Sequence, residues 1–192
     1  MIYVLVSFIA TFICAIFGFL VCPNIDLDYR WGFMAFGILA ALFVIDAIVA
    51  IIIRRLPEKW FNSNNKSFFP RPYEKKFCES LNIKKWKDKI PELGGFTNFH
   101  KDKIYEPNSI EFYERFILES NYGSTLHLIG AILGFAVIFM TPLKMCYLMA
   151  IPMAIVNFIL CMLPYLILRY NNAKLYKVLN SLKKRQEANC VK

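Results

Sequence analysis

Hydrophobic positions along this chain fall in four long runs rather than in alternation, each long enough to cross a hydrocarbon core, which needs roughly 20 apolar residues. They cover residues 2–22, 32–53, 125–141 and 145–168. The first has no basic leader and no small-residue cleavage pattern, and Cys22-Pro23 follows it directly, so it reads as a membrane helix and not as a signal peptide. The third is the shortest and ends at Pro142, the start of a tight turn to the fourth. The pattern predicts an all-α polytopic membrane protein with four transmembrane helices in a single domain, 1–192. It is completed by interfacial amphipathic helices, a middle loop over 54–124 and a basic tail over 169–192.

The middle loop opens with Trp60, Phe61, Phe68, Phe69 and Tyr73 interleaved with Lys59, Lys66 and Arg71, the aromatic and basic mix of a membrane interface. Pro70 and Pro72 predict an extended stretch, and Gly94-Gly95 a turn. Over 109–120 the period becomes helical. Ile110, Tyr113, Phe116 and Ile117 share one face, and Glu111 and Arg115 form an i,i+4 pair on another. The tail shows Leu175, Val178, Leu179 and Leu182 in a stripe flanked by Lys174, Lys177, Lys183, Lys184 and Arg185, which predicts an in-plane basic helix after the fourth span.

Composition agrees: of 192 residues 57% are hydrophobic and 19% charged, with a net charge of +9 and a mean hydropathy of +0.43. That excludes an ordinary soluble domain. Because the bases lie beside apolar runs, anionic lipid or anionic substrate fits them better than nucleic acid. Six scattered cysteines without a CxxC pair indicate neither a disulfide framework nor a zinc site, and no metal or cofactor is expected. Bases also set the expected orientation. The middle loop holds 14 Lys/Arg and the tail 7, against Arg30 and Lys144 alone in the two short connections. Both basic regions are expected in the cytoplasm and the N-terminus outside, in a cell-membrane protein.

Few groups could carry chemistry. His100 lies in Thr97-Asn98-Phe99-His100-Lys101 with no acidic residue at the spacing of the HxxxxD acyltransferase motif. His127 opens the third span, where an ionisable group needs a reason, and can exchange a proton at neutral pH. The plainer reading is an interfacial histidine bonded to a neighbouring serine. Glu119 lies eight residues earlier, about 12 Å of rise on one helix, so the two meet only if Gly123 breaks the helix; otherwise each meets a different part of a substrate. Ser120, Ser124 and His127 share a stripe. Asp46 inside the second span needs a partner such as Asn157 or Tyr147, or a wet cavity. The run Lys84-Lys85-Trp86-Lys87-Asp88-Lys89 is either a headgroup-binding face or a cradle for a phosphate-bearing donor, an acyl-CoA or an acyl carrier protein.

Lys85-Trp86-Lys87-Asp88-Lys89-Ile90, then Glu119 and His127 at the head of a span, then Arg169-Tyr170-Asn171 opening a basic leucine-rich tail, resemble the glycosyl-4,4'-diaponeurosporenoate acyltransferase family of carotenoid biosynthesis. The resemblance implies an integral membrane enzyme that esterifies a long-chain acyl group onto a sugar hydroxyl of a glycosylated carotenoid. On that expectation His127 and Glu119 are catalytic. Lys85, Trp86, Lys87, Lys89, Ser124, Arg169 and Asn171 bind substrate, and the partners are membrane lipid, the acyl donor and a glycolipid acceptor. The competing expectation is a non-catalytic four-span accessory or lipid-binding scaffold whose basic loop docks a cytoplasmic partner.

Overall fold

The computed structural model describes residues 2–21, 30–87, 90, 106–142 and 146–190. Every regular element among them is helical. In order they are α1 (Ile2–Val21), α2 (Arg30–Arg55), two short 3-10 turns (Glu58–Trp60 and Lys66–Phe68), α3 (Pro72–Ser80), α4 (Ile83–Trp86), α5 (Ile110–Leu133), a 3-10 continuation (Gly134–Ile138), a π turn (Cys146–Ala150) and α6 (Ile151–Cys190). His100, Lys89 and Gly94-Gly95 lie outside the described residues.

Local chemistry sets the boundaries. Pro57 disfavours helix for Leu56, and α2 stops with Arg54 and Arg55 in its last turn, where the helix dipole favours cations. Pro72 takes the first position of α3, where a missing N–H costs nothing, and Glu74 reaches back to the Arg71 N–H at 3.4 Å. Asn82, at φ 51°, makes the left-handed break between α3 and α4, and Trp86 Nε1 closes that corner on the Leu81 carbonyl at 2.9 Å. Ser109 caps α5 by accepting the Phe112 N–H at 3.1 Å.

Among the described residues three helices are long and apolar enough to cross a membrane, Gly32–Arg55, Ile110–Ile138 and Leu148–Cys190, so the expectation of four is corrected. The described apolar stretch of α1, Val4–Ile16, is shorter. Parity matters too. Two crossings ahead of the middle loop would return the N-terminus to the loop's own side, so an external N-terminus beside a cytoplasmic loop conflicts with four crossings. It requires α2 to be the one crossing that precedes the loop.

Two expected elements merge with spans. The amphipathic stretch over 109–120 and the third span are one helix, α5, uninterrupted at Gly123. The tail does not start a separate in-plane helix either. It continues the fourth span as the 40-residue α6, about 60 Å long, with Pro164 inside it.

The chain divides into two compact units, Met1–Ile53 with Leu126–Leu163, and Arg54–Thr125 with Pro164–Lys192. In the first, Ala35, Ile38, Leu39, Leu42, Val137, Met149, Met153 and Ala154 form the core, and Phe12, Phe33, Phe36, Ile51, Ile132 and Phe139 lie exposed. An apolar exterior of that kind suits lipid and not water. Its polar groups gather where α5 is thin. A Cβ on Gly130 would lie 2.8 Å from Asp46 Oδ1, and one on Gly134 would collide with the Asn157 amide, so these glycines admit both side chains. Asn157 donates to the Gly130 carbonyl at 3.5 Å. Asp46 thus lies against Gly130 near Cys161, and its Oδ1 meets no hydrogen-bond partner among the described residues.

In the second unit, Tyr113, Phe116, Ile117, Leu175, Tyr176 and Leu179 pack the N-terminal half of α5 on the C-terminal half of α6. Cys78, Ile83 and Ile167, with Trp86 beside them, hold α3 and α4 on α6.

Candidate functional site

Beside its apolar clusters the interior of the second unit holds buried polar groups. Asn121 on α5 and Asn172 on α6 are both 0% exposed. Asn172 Nδ2 donates to Asn121 Oδ1 at 2.8 Å, and Asn121 Nδ2 donates to the Phe61 carbonyl at 2.8 Å. Two amides thereby tie α5, α6 and the segment after α2 through one chain of bonds. Ser120, Ser124 and Arg169 are buried around it. The Ser124 and Thr125 hydroxyls both donate to the Asn121 carbonyl, at 3.0 and 2.9 Å. Asn172 Oδ1, Ser120 Oγ and Arg169 Nε meet no partner among the described residues. The Tyr176 hydroxyl lies near the Asn121 amide without a hydrogen bond of good geometry.

Long-range ion pairs fix charge here, Lys183 meeting Glu114 at 2.6 Å and two arginines holding the framework. Arg169 donates to Glu74 Oε2 at 2.6 Å and to the Phe68 carbonyl at 2.9 Å, clamping the loop and α3 to α6. Arg54 donates to Glu119 Oε2 at 2.7 Å and lies over the Tyr122 ring, 5.2 Å from its centroid. Tyr122 in turn stacks on Phe61 at 4.2 Å and donates to the Leu56 carbonyl at 2.9 Å. The residues following α2 are therefore folded back onto α5 by an aromatic pair, a cation over a ring and an ion pair.

Two clefts open on this unit. The smaller, about 400 Å³, is lined by Glu58, Glu114, Glu119, Asn62, Ser63, Asn64, Arg115 and Leu118. The larger, about 640 Å³, is walled by Arg71, Lys75, Lys177 and Lys183 over Phe69 and Tyr176. Ser63 and Asn64 line both, so the clefts adjoin at that turn. One presents carboxylates and amides, the other cations.

The expected site residues separate. Glu119 lines the carboxylate cleft. His127 lies two turns further along the same uninterrupted helix, half-buried in the apolar unit. Arg54 holds Glu119 Oε2, and α5 runs through Gly123 without the break that would bring Glu119 and His127 together. Arg169 is buried as a clamp on Glu74, and Ser124 is turned into its own helix. Lys85 is exposed on α4 and Lys87 half-buried beyond it, and neither lines either cleft, while Trp86 is a packing and corner-closing residue. Asn171 is half-exposed, and its neighbour Asn172 is the buried one. Sequence reasoning missed Asn121, Asn172, Tyr176, Arg54 and Glu74. A signal existed for the amides: Leu168, Asn172, Leu175 and Leu179 follow the i, i+4, i+7, i+11 stripe of a buried helix face.

The family model for glycosyl-4,4'-diaponeurosporenoate acyltransferase matches residues 57–181, which include both clefts and the amide chain apart from the last residue of the cationic wall. No curated protein and no solved structure matches the chain. The match covers well over half of the sequence, and the chain belongs to the glycosyl-4,4'-diaponeurosporenoate acyltransferase family of carotenoid biosynthesis.

Proposed function

We propose that this chain is an integral membrane acyltransferase that moves a long-chain acyl group onto a sugar hydroxyl of a glycolipid, the family name pointing to a glycosylated carotenoid acid as acceptor. The observation that carries the reading is the carboxylate and amide cleft inside the family-matched region. Glu58, Glu114 and Glu119 with Asn62 and Asn64 are the hydrogen-bonding groups that bind and orient sugar hydroxyls. Esterification needs a group that accepts the hydroxyl proton as the oxygen attacks the acyl carbon. Glu119 suits that role: Arg54 holds Oε2, and Oε1 is the atom that can accept a hydroxyl. The three apolar helices and the lipid-facing exterior of the first unit keep such an enzyme beside a membrane-borne acceptor.

On this reading the middle loop and the C-terminus face the cytoplasm and the N-terminus lies outside, which three crossings allow. Cys190 is the fitting reporter, because it is exposed whereas Cys78 is buried. A membrane-impermeant maleimide should miss Cys190 in intact cells and label it in inverted vesicles; the reverse pattern overturns the orientation.

The reaction is tested with purified protein, an acyl donor and a glycolipid acceptor. Glu119→Gln should lower kcat about 10² to 10⁴-fold, the usual loss for a general base, with the fold retained. A Glu119→Gln enzyme at the wild-type rate removes this assignment. If His127→Ala is dead while Glu119→Gln is active, the proton-accepting role passes to the histidine. Wild-type protein that acylates no glycolipid leaves the scaffold reading ahead.

A further inference from the structure

The cationic cleft is not used by the acceptor chemistry. Its walls come from two separate elements. Arg71 and Lys75 lie one turn apart at the start of α3, and Lys177 and Lys183 project from α6. No carboxylate is among its lining residues, whereas the adjoining cleft has three. Lys183 meets Glu114 at 2.6 Å and Lys75 meets Glu79 at 3.5 Å, so part of the charge is compensated. Arg71 meets the neutral Tyr73 hydroxyl at 2.8 Å, and Lys177 is exposed. Arg71 and Lys177 therefore keep positive charge in the cleft lining, while the first turn of α3 already carries the Glu74 carboxylate on the Arg71 N–H.

The floor is aromatic. Phe69 meets Tyr176 edge to face at 5.4 Å, and Tyr176 is buried with its hydroxyl lacking a well-formed bond among the described residues. Headgroup attachment asks only for surface cations. A nucleotide asks for cations around its phosphates, an apolar face for its base and a cavity of several hundred Å³, and all three are present here.

We infer that this cleft binds the phosphorylated nucleotide end of a coenzyme A thioester, the acyl donor of the reaction. The inference rests on the acyltransferase reading and gives its donor a class. In the step it serves, the sugar oxygen bonds to the acyl carbon and the carbon–sulfur bond breaks. The sulfur leaves with the electron pair, and the proton lost by the hydroxyl ends on the coenzyme A thiol, so no oxidant or reductant is required. Lys84, Lys85 and Lys87, which are not among the lining residues, are left to the membrane surface.

Coenzyme A itself is the probe, titrated calorimetrically into the full-length protein in neutral detergent. Wild type should bind it, Arg71→Gln with Lys177→Gln should weaken binding about tenfold or more, and Lys177→Arg should keep it. Both residues are surface cations, and a thermal melt verifies the fold. Glu119→Gln should keep coenzyme A affinity while losing turnover, which separates the donor site from the acceptor site. Absent binding, or binding indifferent to the double substitution, overturns the inference. So does a double variant that loses only association with phosphatidylglycerol vesicles, since the cleft is then a headgroup site. Transfer from an acyl carrier protein without coenzyme A binding overturns the donor class and leaves the acyltransferase reading intact. Coenzyme A binding with no transfer by wild type refutes that reading and the donor role with it.

Discussion

The two compact units use the same pair of helices in opposite ways. In the unit containing Leu126–Leu163, the 3-10 continuation of α5 contributes Val137 and α6 contributes Met153 and Ala154 to an aliphatic core, and the exterior is apolar. In the unit containing Arg54–Thr125, the other halves of those helices contribute Asn121, Asn172 and Arg169 to the interior. A helix passing through lipid gains no hydrophobic drive toward its neighbours, so close packing at small residues must serve. A helix half in water can bury amides and an ion pair, because tertiary hydrogen bonds repay much of their desolvation. The polar unit thus has a framework that is specific but fragile to single removals, and the apolar unit one that is sensitive to volume.

The largest expected effect is on the buried ion pair. Arg169 is 7% exposed at the side chain and Glu74 24%. Arg169→Met leaves Glu74 without its charge partner and frees the Phe68 carbonyl. Removing one partner of a buried pair costs about 3 to 5 kcal/mol. Pulse proteolysis in detergent should show the loop cleaved early. A loss below about 1 kcal/mol would mean that the pair is only surface decoration, of the kind that contributes little.

Next come the amides. Asn121→Leu or Asn172→Leu alone strands the other amide in the dry interior and should cost about 1 to 3 kcal/mol. The double variant removes both ends and should cost less than the two losses added, the signature of a coupled pair. Strict additivity in a thermal or denaturant titration would refute the coupling and with it the framework role.

The glycines test the other unit. Ala in place of Gly134 drives a methyl into the Asn157 amide, and in place of Gly130 it meets Asp46 Oδ1 at 2.8 Å. Overpacking of about 1 to 3 kcal/mol outweighs the gain of up to about 1 kcal/mol from replacing a helical glycine. Gly123, in the polar unit, faces only the Leu168 Cδ1 methyl at 3.1 Å, the movable end of a side chain. Gly123→Ala should therefore be close to neutral. If all three substitutions behaved alike, close approach would not distinguish the units.

Much of the helical fold could be read from the sequence because long apolar runs and the helical period over 109–120 mark helices, although the runs overstated the number of spans. The merging of the tail into α6 was hidden. Pro164 and the basic Arg169 look like a helix end, yet packing of Ile167, Leu168, Leu175 and Leu179 carries the helix through. Glu119 was legible as a polar group at the head of a span. Its partner was not, because Arg54 lies 65 residues away, as Glu74 lies 95 from Arg169, and spacing carries no information at that range. Asn171 was preferred over Asn172 on motif order, although the leucine stripe favours the second.

The smallest expected effect concerns Cys78, where the polar unit has a dry pocket of its own. The thiol lies among Ile83, Ile167 and Trp86, and it is 2% exposed. Burial pushes its pKa up from the ordinary thiol value, the Glu74 carboxylate adds to the rise, and Arg169 opposes it. Between the ordinary range, about 8.5, and the raised folded value, the native state keeps a proton that the unfolded chain releases. Stability from this group is thus complete below that window and is lost as pH rises through it. Cys78→Ser should flatten that alkaline decline slightly while lowering stability near neutrality, since a hydroxyl in this apolar corner lacks a partner. Alkylation offers a sharper reading. Exposed Cys190 should react readily with iodoacetamide in the folded protein, while Cys78 should stay protected until the unit opens. Arg169→Met, by opening the clamp, should expose Cys78 to the reagent. Equal alkylation rates for Cys78 and Cys190 in the wild-type protein would show that α3 and α4 do not seal this corner, and the contrast between a dry pocket and a hydrogen-bonded interior within the one unit would fail.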